Sequence, residues 1–256
     1  MSVLDKFSLD GKVAIVTGGN RGIGFGIAKA FVEAGGHVVV AARSDERNAL
    51  AVQELNTVGP GTASAVRTDV SSTDSVEIMV RTVLADHGSI DVLVNDAGIG
   101  FHAEALTLPE QDWDRVFDTN LKGVWRCCRA AGRHMTDRGS GSIVNIGSMS
   151  GFIINRPQWH SPYGISKAAV HHLTKSLAAE WARFHVRVNA IAPGYVKTEI
   201  ADIDSPEYKR YWIDEVPMQR YATPDEISPM ALYLASDAST FTTGSVFVVD
   251  GGYTLW

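Results

Sequence analysis

V-A-I-V-T-G-G-N-R-G-I-G, Val13 to Gly24, is the stretch that decides the fold. Val13 to Thr17 is a short run rich in β-branched side chains and reads as a buried strand. Gly18, Gly22 and Gly24 follow at once, where a tight turn and a close approach of the backbone are needed. The next residues predict a helix with Ile23, Ile27, Ala30, Phe31 and Ala34 on its inner face. Its first N–H groups have no partner within the helix and its dipole is positive at that end, so the turn offers a seat for a pyrophosphate. Strand, glycine turn and helix in this order are the context that a dinucleotide-binding turn requires. Gly18, Asn20, Arg21, Gly22, Ile23 and Gly24 are therefore the first cofactor candidates.

The alternation of strand and helix continues downstream. Gly35-Gly36 stops the first helix, and His37 to Ala42 reads as the second strand. An acidic residue at its end would hold the ribose hydroxyls of NAD, whereas an arginine there suits the 2′-phosphate of NADP. The chain has Ala42-Arg43-Ser44, so Arg43 and Ser44, with Arg21, predict NADP(H), while Asp45 and Glu46 leave NAD(H) open. Thr62 to Thr68 is a third strand, ending at Asp69-Val70, expected beside the adenine; Asp69 reads equally as a turn residue. A helix with Val76, Met79, Val80, Val83 and Leu84 at helical spacing leads to a fourth strand, Ile90 to Val94. The small residues of Asn95-Asp96-Ala97-Gly98 would let the backbone pass close to a ribose.

A helix is expected from Pro109 to about Met135, with the amide of Asn120 inside it and Arg126, Arg129 and Arg133 as a solvated or interface stripe. After the strand around Ile143 to Ile146 come a long helix through Leu173, Leu177 and Trp181, the strand Val186 to Ile191, and Pro193-Gly194 at its end. A helix from about Pro224 to Ala235 and a strand from Ser245 to Val249 complete the pattern. Such alternation predicts one α/β domain over residues 1–256, a Rossmann-type, doubly wound, seven-stranded parallel sheet with helices on both faces. Between Tyr195 and Tyr221 lies an aromatic and charged segment without strand character, expected to be a mobile lid over a substrate. The apolar tail Tyr253 to Trp256 suggests burial against a partner subunit.

S-M-S-G-F-I-I-N-R-P-Q-W-H-S-P-Y-G-I-S-K, Ser148 to Lys167, carries the chemistry. Tyr163 and Lys167 stand four apart and share a face if the segment is helical. A fixed ammonium beside a phenol favours the phenolate and is expected to lower its pKa, making Tyr163 a general acid or base. Ser148 follows a strand, at the carboxyl edge where open α/β sheets bind ligands, and its hydroxyl can hold a carbonyl or alkoxide oxygen.

Composition excludes other classes. A formal charge of -6, without a basic tract, argues against nucleic acid or an anionic membrane as partner. No apolar run reaches the roughly 18 residues of a membrane span, and the first residues lack a signal-peptide core, so a cytoplasmic protein is expected. Cys127 and Cys128 have no metal-ligand companions at the usual spacing and read as buried thiols; no metal is expected.

Together these motifs resemble the short-chain dehydrogenase/reductase family across essentially the whole chain. The resemblance rests on Thr17 to Gly24, Asn95 to Gly98, Asn120, Ser148, Tyr163 with Lys167, and Pro193-Gly194 followed by Thr198. It implies that Tyr163 is the general acid or base, that Ser148 binds the reacting oxygen, that Lys167 lowers the tyrosine's pKa and holds the nicotinamide ribose, and that Asn120 holds a water linking Lys167 to solvent. Asn95, Ala97, Gly98, Pro193, Gly194, Val196 and Thr198 join the cofactor candidates. Asp96 departs from the pattern, which commonly has a second Asn; the change is expected to leave the catalytic set untouched. A narrower similarity to the family's polyol and sugar dehydrogenases implies a secondary alcohol or ketone substrate, with Ser150, Asn155, Gln158 and Tyr195 beside Ser148 and Tyr163. The family implies a homotetramer, and some polyol-active members hold a divalent ion near the C-terminus. A 3-oxoacyl-thioester reductase is the rival enzyme; a non-catalytic nucleotide sensor is the rival of another class.

Overall fold

The computed structural model describes residues 2–199 and 206–255. Seven strands form one parallel sheet in the order β3-β2-β1-β4-β5-β6-β7. They are β1 (Val13–Thr17), β2 (His37–Ala42), β3 (Thr62–Arg67), β4 (Val92–Asn95), β5 (Gly141–Ile146), β6 (Val186–Pro193) and β7 (Val246–Val249). The helices are α1 (Gly22–Glu33), α2 (Asp45–Leu55), α3 (Thr73–His87), α4 (Glu110–Phe117), α5 (Val124–Arg138), α6 (Ser161–Trp181), α7 (Pro206–Lys209) and α8 (Pro224–Ala235).

Alternate residues of the strands serve two cores. Ala14, Val16, Val38, Val40, Val92, Val94 and Val144 face α1, α2 and α8, with Ile27, Phe31, Leu55 and Leu234 among their neighbours. Val13, Ile15, Val39, Leu93, Ile143 and Val188 face α3, α5 and α6, packing with Met79, Val83, Met135 and Val170. Burial on both faces is why the strands read as continuous apolar runs rather than as an alternation. The chain winds from β1 out to β3, then returns to place β4 on β1's other side. The sheet therefore splits at the carboxyl ends of β1 and β4, the topological switch point where such folds bind ligands.

Departures from expectation are local. The fourth strand starts at Val92, not Ile90; the sixth runs on to Pro193; and the third and seventh each lose one residue at an end. The helix expected from Pro109 to about Met135 is interrupted by a π turn, Asp118–Gly123, and continues to Arg138. Gly139, at φ 73, closes it in the left-handed conformation that a side chain rarely adopts. Cys127 and Cys128 are buried free thiols, and burial pushes the Cys127 thiol up to about 12. In the arginine stripe, Arg126 is drawn inward to the Asp118 carboxylate at 2.8 Å, and Arg129 lies over the Trp125 ring. No helix among the described residues is long and apolar enough to cross a membrane.

Candidate active site

A cleft of about 530 Å³ opens at the switch point, lined along its length by the glycine turn, the end of β2, the loop after β4 and the start of α6. At one end stand Arg43, Ser44 and Arg47, with Arg21, Asn20, Gly22 and Ile23 between them and the sheet. Gly22 takes φ 56, a conformation in which glycine is strongly preferred. The turn is tied to β2 through a relay: Asn20 donates to the Asn48 Oδ1 at 2.8 Å, and Asn48 donates to the Ala42 carbonyl at 2.9 Å. Ser44 caps α2 by accepting the Arg47 N–H, which places both residues at one corner. Asp45 and Glu46 do not line the cleft; Asp45 instead lies 3.8 Å from Arg67. Arg47 had no signal in the sequence beyond being another surface cation.

Asp69 and Val70 line the adjacent wall as expected. Burial raises the Asp69 carboxyl, but bonds from Ser71 N–H and hydroxyl, with Arg43 and Arg126 nearby, leave it below its ordinary value. Ala97, Gly98, Pro193, Gly194 and Thr198 also line the cleft. Three predicted residues do not. Asn95 turns into the sheet, donating to Asn145 at 2.8 Å and to the Cys128 sulfur. Gly24 packs beneath the turn, where a Cβ would come within 2.6 Å of Asp96 Oδ2. Val196 is buried in the core and pairs with Ala222. Each serves the shape of the cleft and not its surface.

At the inner end stand Ser148, Tyr163 and Lys167. Ser148 follows β5 and caps a short 3-10 turn, Met149–Gly151, accepting the Ser150 N–H at 3.1 Å. Its side chain hydrogen-bonds Tyr163. The Lys167 ammonium donates to the Ile146 carbonyl at 2.7 Å and lies 5.6 Å from the centre of the Tyr163 ring. The net displacement of the Tyr163 pKa is upward, not the lowering expected from Lys167. Burial raises the Tyr163 pKa, Ser148 opposes that rise, and the Asp96 charge adds to it. Burial also pulls Lys167 down to about 8, against the attraction of Asp96. The Asp96 charge thus acts on both Tyr163 and Lys167, whereas the sequence reading expected the candidate catalytic set to be untouched by it.

Asn120 sits in the π turn, fully buried. Its Oδ1 accepts the Ile99 N–H at 2.9 Å, while its amide donates to the Ile99 carbonyl and to the Ser166 hydroxyl. The side chain is therefore a strap for the loop after β4. His171, unmarked in the sequence, packs against Gly147 and accepts the Ser148 N–H at 3.5 Å. Burial first, then Lys167 and Lys175, hold it down to about 4, so it is the neutral acceptor that this bond needs.

Ser150, Asn155, Gln158 and Tyr195, the four further substrate candidates, do not line the cleft; each is engaged by a neighbour instead. Ser150 bonds Ser148 hydroxyl to hydroxyl at 3.1 Å. Asn155 donates to the Tyr195 hydroxyl at 3.1 Å and lies 3.2 Å from His160 Nε2. Gln158 accepts the Trp212 indole N–H at 3.0 Å. Trp212 stacks between Tyr195 and Tyr208, at 4.9 and 4.1 Å. His160, whose ring is 5.3 Å from Tyr163, was also missed; burial and His102 hold it down to about 4. Of the segment 195–221, residues 200–205 lie outside the described residues, as does Trp256 of the tail. Among the described residues no group of three or more His, Cys, Asp or Glu could hold a metal ion.

Comparison with known proteins extends this geometry. A family model described as enoyl-(acyl carrier protein) reductase matches residues 18–254. Galactitol 2-dehydrogenase of Rhizobium johnstonii is 46% identical, with both chains covered completely. Sorbose reductase of Candida albicans is 42% identical over 99% of this chain and 90% of its own. The solved structure of a gluconate 5-dehydrogenase from Burkholderia cenocepacia, in complex with NADP and tartrate, superposes with a TM-score of 0.94 at 35% identity, covering all of both chains. Similarity that spans the fold, the glycine turn and the Tyr163–Lys167 pair alike admits one conclusion: the chain belongs to the short-chain dehydrogenase/reductase family.

Proposed function

We propose that the protein is an NADP(H)-dependent oxidoreductase that interconverts a secondary alcohol and a ketone on a polyol, ketose or sugar acid. The observation that carries this reading is one cleft with a phosphate-binding corner at one end and Ser148, Tyr163 and Lys167 at the other. The residues fit the cofactor: Arg43, Arg47 and Ser44 are placed to hold a 2′-phosphate, the turn at Gly22 and Ile23 to hold a pyrophosphate, and Lys167 to hold a ribose. When bound, the nicotinamide supplies or accepts the hydride.

The chain's own residues manage the proton and the oxygen. In reduction Ser148 and Tyr163 hold the carbonyl oxygen, and the phenol gives it a proton as negative charge develops. The raised pKa keeps that phenol protonated before the step. Lys167 then stabilises the phenolate left behind. In oxidation the same phenolate removes the proton from the alcohol. The Lys167 ammonium is lost as pH rises through about 8, so the reductive kcat/KM is expected to hold at neutral pH and to fall above about 8. A rate that stays level to well above that pH would remove the ammonium from the step.

Three features support a polyhydroxylated substrate. His160, a neutral ring 5.3 Å from Tyr163, is backed by Asn155, whose amide also reaches the Tyr195 hydroxyl. The relatives above are named for galactitol, sorbose and gluconate. The segment from Tyr195 to Tyr221 is read as the substrate lid, its stem closed by the Val196–Ala222 bridge. Assembly as a homotetramer accords with Trp125 on α5, Ile165 on α6 and Leu255 near the C-terminus, all exposed apolar groups. Fructose, sorbose, 5-ketogluconate and an acetoacetyl thioester assayed with NADPH and NADH test the reading. Turnover of a ketose or keto acid is expected; thioester turnover alone would favour the acyl reductase instead.

A further inference from the structure

Asp96 places a carboxylate where the cleft needs positive potential. Its Oδ2 lies under the glycine turn, 3.2 Å from where a Cβ on Gly18 would stand and 2.6 Å from one on Gly24. It accepts the Gly24 N–H, so it occupies the first turn of α1, the end whose dipole also favours a bound phosphate. Its backbone is fixed from the other side, since Thr17 Oγ1 accepts the N–H groups of both Asp96 and Ala97. The charged and titratable groups facing it are Lys167 and Tyr163 from α6 and Arg21 from the turn. Among the described residues the cleft has one other carboxylate in its lining, Asp69, at the adenine wall.

We propose that Asp96 takes up a proton from solvent when the dinucleotide docks, exchanging its own negative charge for that of the incoming pyrophosphate. The inference rests on the dinucleotide reading of the cleft. Two like charges at one helix end repel each other, and a docked ligand also excludes the water that solvates the carboxylate; both favour the neutral acid. Burial already lifts Asp96 to about 6, in spite of Lys167 and Arg21. The neutral acid keeps its carbonyl oxygen, so the contact with Gly24 survives protonation. Protonation also removes the charge that raises the Tyr163 pKa, so an occupied cleft makes the phenolate easier to form.

ADP-ribose is the probe, since it lacks the 2′-phosphate and has no group of its own that titrates near neutrality. Titration calorimetry in buffers of different ionisation enthalpy reads the protons exchanged. The native protein is expected to take up about half a proton per ADP-ribose at pH 6, approaching one at pH 7, and its affinity should fall by up to about tenfold per pH unit above 6. Asp96→Asn should take up none and bind with an affinity independent of pH. Binding without proton uptake by the native protein overturns the proposal, whether or not the variant folds. Equal uptake by the variant also overturns it, by assigning the proton to another group. Failure of the folded native protein to bind both ADP-ribose and NADPH would remove the dinucleotide reading itself, and with it this inference.

Discussion

Tyr163→Phe is expected to lower turnover by about 10²–10⁴-fold while leaving dinucleotide affinity within about twofold. The substitution removes one oxygen and keeps the ring that packs against Gly100 and His160. The phosphate corner is remote from that oxygen, so affinity for NADPH, measured by fluorescence, should hardly change. With the phenol as the proposed proton donor, loss should appear in kcat and kcat/KM alike. Turnover within a few-fold of the native value would place the acid elsewhere, and the neutral, half-buried His160 would be the next residue to test.

Arg43→Ala is expected to weaken NADPH by about 10- to 100-fold and NADH by less than about threefold, the range set by hydrogen bonds to a charged group. Arg43 lines the corner with Ser44 and Arg47, where the pattern for NAD has an acidic residue at the end of β2. Dissociation constants for the two reduced cofactors give the selectivity directly. Equal losses for both would show that Arg43 supports the corner's shape without reading the phosphate. Arg47 has the same reach to the corner, so a residual preference in the single variant should vanish when both arginines are replaced.

The sequence made the sheet legible because β1, β2, β4 and β6 are buried on both faces and so carry uninterrupted apolar runs. Gly18, Gly22, Ser148, Tyr163 and Lys167 were legible for a related reason: each belongs to a short motif whose local geometry is enough to aim it. What escaped depends on partners distant in the chain. Asn95 reads as a small polar residue near a ribose, yet its partner Asn145 lies on the neighbouring strand and draws it inward. Asn120 cannot be read without Ile99 and Ser166, which bond to the two ends of its amide. His171 acts on Ser148 across 23 positions of sequence. The pKa of Tyr163 followed from one neighbour in the sequence reading, whereas burial and Asp96 outweigh that neighbour in space.

The bridge between Val196 and Ala222 has a consequence for how such a protein can change its diet. Lys197 N–H donates to the Ala222 carbonyl at 2.8 Å and Ala222 N–H to the Tyr195 carbonyl at 2.9 Å, so the two ends of the segment are stapled to each other there. Beyond the staple Trp212 still holds Gln158 and Met218 N–H the Gly251 carbonyl, so an exchange within the segment is felt first in those contacts. New sugars would be recruited by rewriting that appendage together with the contacts that seat it.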